Sequence, residues 1–168
     1  MQKGQLIGLV GANGIGKSTL LRPLGKGQPK LSGNIEIKGK PLEQLTSVTL
    51  ASEISMVLTE AIASKNMTVW ELIALGRQPY TNWIGSLTET DTSKIREAIQ
   101  MLALEEMQHK PCYELSDGQL QRVMIARALA QDTPIILLDE PTTHLDLYHK
   151  VQLLKLLRRI AHETKKTI

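Results

Sequence analysis

Residues 11–18 of the chain are GANGIGKS. It matches GxxxxGK[ST], the Walker A pattern of a phosphate-binding loop. Glycines let the backbone curl until successive N–H groups point at a phosphate, and the helix that follows adds the positive end of its dipole. The preceding residues 5–10, QLIGLV, predict the buried strand that such a loop needs. The sequence therefore predicts a site for a nucleoside triphosphate, with ATP and Mg²⁺ as the favoured ligands.

The chemistry of each loop residue suggests its role at the phosphates. Lys17 supplies a mobile positive charge for the β- and γ-phosphates, Ser18 offers a hydroxyl to Mg²⁺, and Thr19 is placed to contact the α-phosphate. The remaining predicted nucleotide-binding positions lie within the loop itself: Gly11, Asn13, Gly14 and Gly16. The helix that starts near Lys17 is expected to end or kink early, since Pro23 removes a hydrogen bond at a cost of about 3 kcal/mol.

The rest of the chain alternates between strand and helix patterns. Apolar runs and alternation predict strands at residues 33–39, 54–58 and 135–138. Helical periodicity and Thr-x-x-Glu or Ser-x-x-Gln capping boxes predict helices from Thr68 to a closing Gly76, over 88–104, from Ser116 to Leu129 and over 147–163. These patterns indicate one α/β domain over residues 1–168, a P-loop NTPase with a mostly parallel sheet. Its core is expected in residues 1–59 and 114–168, with a helical subdomain inserted at 60–113.

A pair of carboxylates follows the apolar run at residues 135–138. In P-loop enzymes an Asp in the place of Asp139 holds Mg²⁺, and a Glu in the place of Glu140 can polarise the water that attacks the γ-phosphate. The alternative is a solvated carboxylate pair at a strand end. That alternative would be favoured if the phosphate loop did not precede it. Glu140 is therefore the predicted catalytic residue, with Asp139 and Ser18 as metal ligands.

Composition sets limits on the other function classes. Apolar residues make up 42% of the 168 residues and Phe is absent, so the core must be aliphatic. The net charge of +3 comes from scattered Lys and Arg, so no nucleic-acid partner is expected. No apolar run approaches the roughly 20 residues that a membrane-spanning helix needs. We therefore expect any membrane role to come through a partner.

A second candidate anion site lies at residues 115–119, LSDGQ. A Ser hydroxyl, a Gly N–H and a helix N-terminus together can bind an anion, although by itself the segment is also an ordinary helix start. The order Walker A, LSDGQ, IILLDEP (135–141) and residues 143–146, THLD, resembles the nucleotide-binding domain of ABC ATPases. In that resemblance LSDGQ corresponds to the family signature, and residues 144–146 correspond to the D-loop, with its aspartate at Asp146.

The resemblance implies a mechanism that needs two copies of the chain. They would pair head to tail, with each ATP between the Walker A loop of one copy and Ser116, Gly118 and Gln119 of the other. Residues 68–80, TVWELIALGRQPY, resemble the subfamily that imports iron-siderophores, haem and vitamin B12. This implies transmembrane permease subunits as partners, indirectly a substrate-binding protein, and a location at the cytoplasmic face of the cell membrane.

The chain also departs from the pattern of that family. Family members are usually longer, and the aromatic residue that stacks on adenine and the switch histidine have no counterpart here, so the sequence resembles a domain truncated at both ends. Thr59 stands where the Q-loop glutamine is expected and can offer only a shorter hydroxyl to water or Mg²⁺. We therefore expect weak or absent hydrolysis by this chain alone.

Other functions remain open at this stage. An ABC-type ATPase that acts on DNA or ribosomes without a transporter is one alternative, and an ATP-binding fragment without turnover of its own is another. A P-loop kinase is disfavoured, because it would carry no LSDGQ and would not need Glu140.

Overall fold

The computed structural model of the chain describes residues 3–12, 14–58, 66–143 and 145–168. Within these residues, the α-helices are α1 (Lys17–Leu21), α2 (Ser47–Glu53), α3 (Val69–Ala74), α4 (Glu89–Met101), α5 (Asp117–Ala130) and α6 (Leu147–Thr164). The strands are β1 (Glu36–Ile37), β2 (Lys40–Pro41), β3 (Ile54–Val57) and β4 (Ile135–Leu138). Short 3₁₀ helices occur at Arg22–Gly25, Leu42–Gln44, Leu75–Tyr80, Glu105–Met107 and Cys112–Glu114.

A parallel sheet forms the centre of the fold. Strand β3 pairs with β4 in parallel, from Ile54 opposite Ile135 to Val57 opposite Leu138. On the other side of β4, Thr167 forms a parallel bridge with Ile135. The last residue, Ile168, continues this pairing, since its N–H donates to the Gln5 carbonyl at 2.9 Å and its carbonyl accepts from the Ile7 N–H at 2.7 Å. The predicted α/β fold with a mostly parallel sheet is thus confirmed.

The predicted strand at residues 5–10 is wrong in its extent and its burial. Only residues 5–7 pair with the neighbouring backbone at Ile168, and no regular strand forms over the segment. Leu9 is 50% exposed and Val10 is 94% exposed, so this end of the segment is not buried. The apolar pattern indicated a strand, but pairing depends on which backbone lies alongside it.

The early end predicted for the helix after the phosphate loop is confirmed. Helix α1 has five residues, and the chain then continues as the 3₁₀ helix Arg22–Gly25. Pro23 lies in the first turn of that 3₁₀ helix, where its missing N–H needs no intrahelical partner.

The strand predicted at 33–39 is shorter in the structure. Only β1 pairs, antiparallel with β2, around a two-residue turn. Both turn residues, Lys38 and Gly39, have positive φ (52° and 73°), as a type I′ hairpin turn requires. Glu36 is exposed and Ile37 is buried, so the strand does have one solvated face as predicted.

The predicted capping boxes form at two helix starts. The Thr68 side chain accepts from the Glu71 N–H, and the Ser116 side chain accepts from the Gln119 N–H. In return, the Glu71 and Gln119 side chains accept from the backbone N–H of Thr68 and Ser116. Gly76, however, does not close its helix, because the 3₁₀ helix Leu75–Tyr80 continues through it. A Cβ at Gly76 would lie 2.2 Å from the Arg127 carbonyl oxygen, so glycine is needed there for the close approach of α5.

A large hydrophobic cluster joins the sheet to the helices. It brings together α3, α4 and α5 with β3, β4 and α6, through fully buried side chains such as Leu72, Ile95, Val123, Ile136 and Leu157. The cluster is aliphatic, as the composition predicted. It spans residues of both the core and the predicted helical subdomain, and the division at residues 60 and 113 stays a prediction.

A buried ion pair links the 3₁₀ helix Leu75–Tyr80 to two other helices. Arg77 Nε donates to Asp91 Oδ1 at 2.8 Å, and Arg77 Nη1 donates to the Ala130 carbonyl at 2.8 Å. The guanidinium also lies 4.0 Å from the centre of the Tyr80 ring. The Arg77 and Asp91 side chains are 7% and 3% exposed, so water does not screen this pair.

Candidate nucleotide-binding site

The backbone of the phosphate loop has the curl that the sequence predicted. Gly16 caps the start of α1 with φ 100° and ψ 18°, in the left-handed region that strains any side chain, and Gly14 has φ 80°. The Leu20 N–H then donates to the Gly16 carbonyl at 3.0 Å, which begins the helix. The backbone N–H groups of the first helical turn have no intrahelical acceptor in such a geometry and can serve a phosphate. Asn13 lies outside the described residues.

Lys17 lies against the loop that precedes it. Its Nζ donates to the Gly11 carbonyl at 2.9 Å and to the Ala12 carbonyl at 2.8 Å. These bonds hold a positive charge beside the loop backbone, where it can neutralise the charge of a bound phosphate. Thr19, the other predicted contact, follows on the exposed side of α1.

The two predicted metal ligands meet in the structure. Ser18 Oγ donates to Asp139 Oδ1 at 2.8 Å, although 121 positions separate them in sequence. Asp139 is only 5% exposed, and its N–H donates to the Val57 carbonyl at 2.9 Å, which fixes it at the end of β4. A hydroxyl and a carboxylate are the oxygen ligands that Mg²⁺ takes from a protein when nucleotide phosphates complete its coordination, so these two residues fit the ion. Thr59, the third candidate ligand, lies outside the described residues.

Glu140 adopts a strained backbone conformation next to this pair. It is exposed, and its φ of 50° is unusual for a residue other than glycine. Thr143 holds it from the far side of a turn, since Thr143 Oγ1 donates to Glu140 Oε2 at 3.2 Å and the Thr143 N–H donates to the Glu140 carbonyl at 3.1 Å. Strain of this kind persists where the surroundings enforce it and is frequent at functional sites.

Thr143 belongs to no sequence motif that marks it as a functional residue. The available signal was weak: a Thr three positions after an acidic residue can hydrogen-bond it across a turn. The contact becomes visible only once the turn is known.

The predicted signature residues form one local unit. Ser116 Oγ accepts from the Gln119 N–H at 3.3 Å, and the Ser116 N–H donates to Gln119 Oε1 at 2.9 Å. Gly118 lies close to Leu145, whose Cδ2 would be 3.4 Å from a Cβ at that glycine. The start of α5 is therefore packed against the residue that precedes Asp146.

Asp146 has a structural role in its own helix. It caps α6 by accepting from the His149 N–H at 2.9 Å, and its Oδ2 pairs with His149 Nδ1 at 2.7 Å. The bond from the His149 backbone N–H, followed by the one from its ring, lowers the pKa of Asp146 below its usual value. His144 lies outside the described residues.

The predicted site residues fall into two groups, one at the phosphate loop and one at the signature segment. Lys17, Ser18, Asp139 and Glu140 belong to the phosphate-loop side. Ser116, Gly118 and Gln119 line a groove of about 620 Å³ together with residues of α6. None of the described phosphate-loop residues lines that groove.

The ABC transporter family model matches residues 1–143, which include the phosphate loop, the signature segment and the Asp139–Glu140 pair. The chain belongs to the ABC transporter family. Its members are ATPases, so the family also accounts for a carboxylate pair placed beside a phosphate loop. No helix in the described part of this ABC protein is long and apolar enough to span a membrane.

The chain is also similar to individual members of the family. It is 41% identical over 163 residues to an uncharacterized ABC transporter ATP-binding protein of Methanocaldococcus jannaschii, covering 97% of the chain and 56% of that protein. It is 40% identical over 168 residues to a petrobactin import ATP-binding protein of Bacillus subtilis, covering 100% of the chain and 66% of that protein. A solved structure of a metal-chelate type ABC transporter in an inward-facing conformation matches with TM-score 0.85 at 30% identity, covering 100% of the chain and 62% of that structure's chain.

The chain thus spans between 56% and 66% of the length of these relatives.

Proposed function

We propose that this chain binds ATP with Mg²⁺ and forms the ATP-binding part of an importer for a metal chelate, such as an iron-siderophore, haem or cobalamin. The observation that carries the proposal is the 2.8 Å hydrogen bond from Ser18 to Asp139, because it joins the phosphate loop to a buried carboxylate at a strand end. A glycine-rich turn without a binding role would not require a hydrogen bond to a carboxylate 121 positions away in sequence. The family match supports the proposal independently.

The chain's own residues divide the work at the phosphates. Lys17 would exchange its bonds to the loop carbonyls for bonds to phosphate oxygens, and the backbone N–H groups around Gly16 would hold the β-phosphate. Ser18 and Asp139 would hold Mg²⁺, which offsets the negative charge of the phosphates. Glu140, oriented by Thr143, would accept a proton from the attacking water.

A head-to-tail homodimer would complete the site. Supporting this, the groove at Ser116, Gly118 and Gln119 contains none of the described residues of the phosphate loop, so one copy does not bring both halves into a single pocket. The capping bonds of Ser116 and Gln119 pre-order the start of α5 for an anion that a second copy presents. Asp146, anchored by His149, would lie at the edge of that interface.

The importer assignment rests on the relatives and on residues 68–80. A relative that matches the whole chain is named as a petrobactin import ATP-binding protein. The similar solved structure is described as a metal-chelate type ABC transporter. Permease subunits in the membrane would be direct partners, and a substrate-binding protein would be an indirect one. The protein would then lie at the cytoplasmic face of the cell membrane.

The phosphate-site proposal can be tested by equilibrium binding of a fluorescent ATP analogue, with and without Mg²⁺. We expect Lys17→Ala to weaken binding of the ATP analogue at least about tenfold, which corresponds to about 1.4 kcal/mol. We expect Asp139→Asn to remove most of the Mg²⁺ dependence of binding. Lys40→Ala is the matched control, because it removes a lysine from the exposed end of β2. Equal binding by the Lys17→Ala and Lys40→Ala proteins would contradict the phosphate-loop assignment.

Two further measurements separate the finer parts of the proposal. Glu140→Gln protein should form a dimer on size-exclusion chromatography with ATP and Mg²⁺ but not with ADP, if two copies share the nucleotide. A pulldown with permease subunits encoded beside the gene tests the transporter role. Recovery of no permease would favour a non-transport ABC-type ATPase instead.

A further inference from the structure

We infer that the groove between α5 and α6 binds an acidic peptide segment that carries aliphatic side chains, presented by a partner protein. This α5–α6 groove has a volume of about 620 Å³ and runs from the signature residues along α6. Its apolar lining comes from the end of α4 and from α6: Met101, Leu102, Leu153 and Leu156. The inference rests on the groove alone and requires neither ATP nor turnover.

The charges that line the groove are all of one sign. Arg122, Lys155 and Arg159 contribute cations, and no Asp or Glu is among the lining residues that the structure describes. Arg159 is held in place, since its Nη2 donates to the Met101 carbonyl at 3.2 Å. His149 also lines the groove, but its ring is bonded to Asp146. Three cations around an apolar floor attract a partner that combines negative charge with apolar side chains.

The groove extends well beyond the signature. From His149 to Arg159 it follows α6 for about 15 Å, at 1.5 Å per residue. Lys155 and Arg159 lie about 1.7 and 2.8 helical turns beyond His149, whereas Gly118 of the signature lies beside Leu145, just before α6 begins. Nucleotide phosphates bound at the signature would leave these two cations unused.

The shape and chemistry of the lining favour a peptide over other anions. A small inorganic anion would leave the partly exposed Met101 and Leu156 side chains in contact with water, so it would gain nothing from that surface. Single-stranded nucleic acid is usually held by stacking on aromatic side chains, and no Trp, Tyr or Phe is among the described lining residues. An amphipathic peptide can place apolar side chains on the apolar lining and acidic side chains beside the lining cations, as amphipathic helices do when they bind in hydrophobic grooves.

Fluorescence anisotropy with a synthetic peptide tests the inference. The probe is a fluorescein-labelled peptide with leucines at helical spacing and glutamates elsewhere, measured at physiological ionic strength. We expect it to bind wild-type protein, and Lys155→Glu to weaken binding by about tenfold or more. Arg158→Glu is the matched control, because it makes the same charge change at an exposed residue of α6 that does not line the groove. It should change binding by less than about twofold.

Several outcomes would overturn the inference. One is equal weakening by Lys155→Glu and Arg158→Glu, and another is equal binding of a glutamate peptide without leucines or of single-stranded DNA. Hydrogen exchange on the wild-type protein provides a readout that needs no variant to fold. The leucine–glutamate peptide should slow exchange in residues 118–125 and 149–160, and protection confined to another surface would place the partner elsewhere.

Discussion

Replacing Arg77 with methionine should destabilise the fold severely, because its guanidinium serves three groups in a dry environment. It donates to Asp91 and to the Ala130 carbonyl, and it stacks on Tyr80. Methionine fills a similar volume but makes none of these polar contacts. The change therefore isolates the charge and the hydrogen bonds from simple packing.

The magnitude follows from what is left behind. Breaking a buried ion pair by removing one partner costs about 3–5 kcal/mol, and an unpaired buried carbonyl costs about 1–3 kcal/mol. These terms share one side chain and are not additive, so we expect a loss of about 4 kcal/mol in the free energy of unfolding. With a urea slope of about 2 kcal/mol per molar, the unfolding midpoint should fall by about 2 M.

The pH dependence gives this prediction a second readout. Hydrogen bonds from the Thr88 side chain and backbone, with a smaller contribution from Arg77, lower the pKa of Asp91. A carboxyl whose folded pKa is depressed stabilises the fold above its unfolded pKa, and this stabilisation is lost as the pH falls through the folded pKa. Without Arg77, the folded pKa of Asp91 moves up towards the unfolded value. The stability difference between wild type and Arg77→Met should therefore shrink as the pH falls below about 4.

Urea denaturation followed by circular dichroism measures these quantities. Arg96→Met is the control, since Arg96 is exposed on α4 and its loss should change stability by less than about 0.5 kcal/mol. The double variant Arg77→Met/Asp91→Asn should lose clearly less than the sum of its two single changes. Additive effects, or a loss below about 1 kcal/mol for Arg77→Met, would refute the view that this pair is buried and coupled.

Three smaller predictions concern single side chains. Gly76→Ala places a Cβ 2.2 Å from the backbone of α5 and should cost about 2 kcal/mol or more in thermal unfolding, whereas Gly8→Ala, with nothing within 4 Å, should not. Ser116→Ala removes the cap of α5 and should cost about 1 kcal/mol, and Ser116→Asp should restore it. Asp132→Asn breaks the half-exposed pair with Lys166 and should cost less than about 1 kcal/mol, so a larger loss in urea unfolding would show that this pair is not screened.

Local patterns in the sequence predicted the elements well where a few neighbouring residues decide them. The capping boxes at Thr68 and Ser116 and the apolar runs at 54–57 and 135–138 need no distant information. Local patterns do not predict which backbone segments pair with each other. The bonds of Gln5 and Ile7 with Ile168 join opposite ends of the chain, and no local pattern carries that information. For the same reason the local pattern at Gly76 predicts a helix end, whereas in the structure the glycine allows the close approach of α5.

The candidate site shows the same division. Lys17, Ser18, Asp139 and Glu140 were predicted because their motifs have a fixed chemistry, and the structure brings Ser18 and Asp139 into contact. Their distance could not be derived from spacing, because it depends on how α1 packs beside β4. Thr143 and the His149–Asp146 bond escaped prediction, since both arise from turns whose geometry is set by the fold.

The phosphate loop is less firmly held than the end of β4, so a bound ligand should protect the two segments to different extents. Asp139 directly follows β4, which pairs with β3 along its whole length, and it is 5% exposed, whereas Val10, just before the loop, is 94% exposed. The Ser18–Asp139 hydrogen bond therefore links the more exposed side of the site to the more buried side. ATP with Mg²⁺ would reinforce that same link, so it should slow hydrogen exchange more in residues 8–20 than in β4. Equal protection of both segments would show that the loop is already as firmly held as the strand.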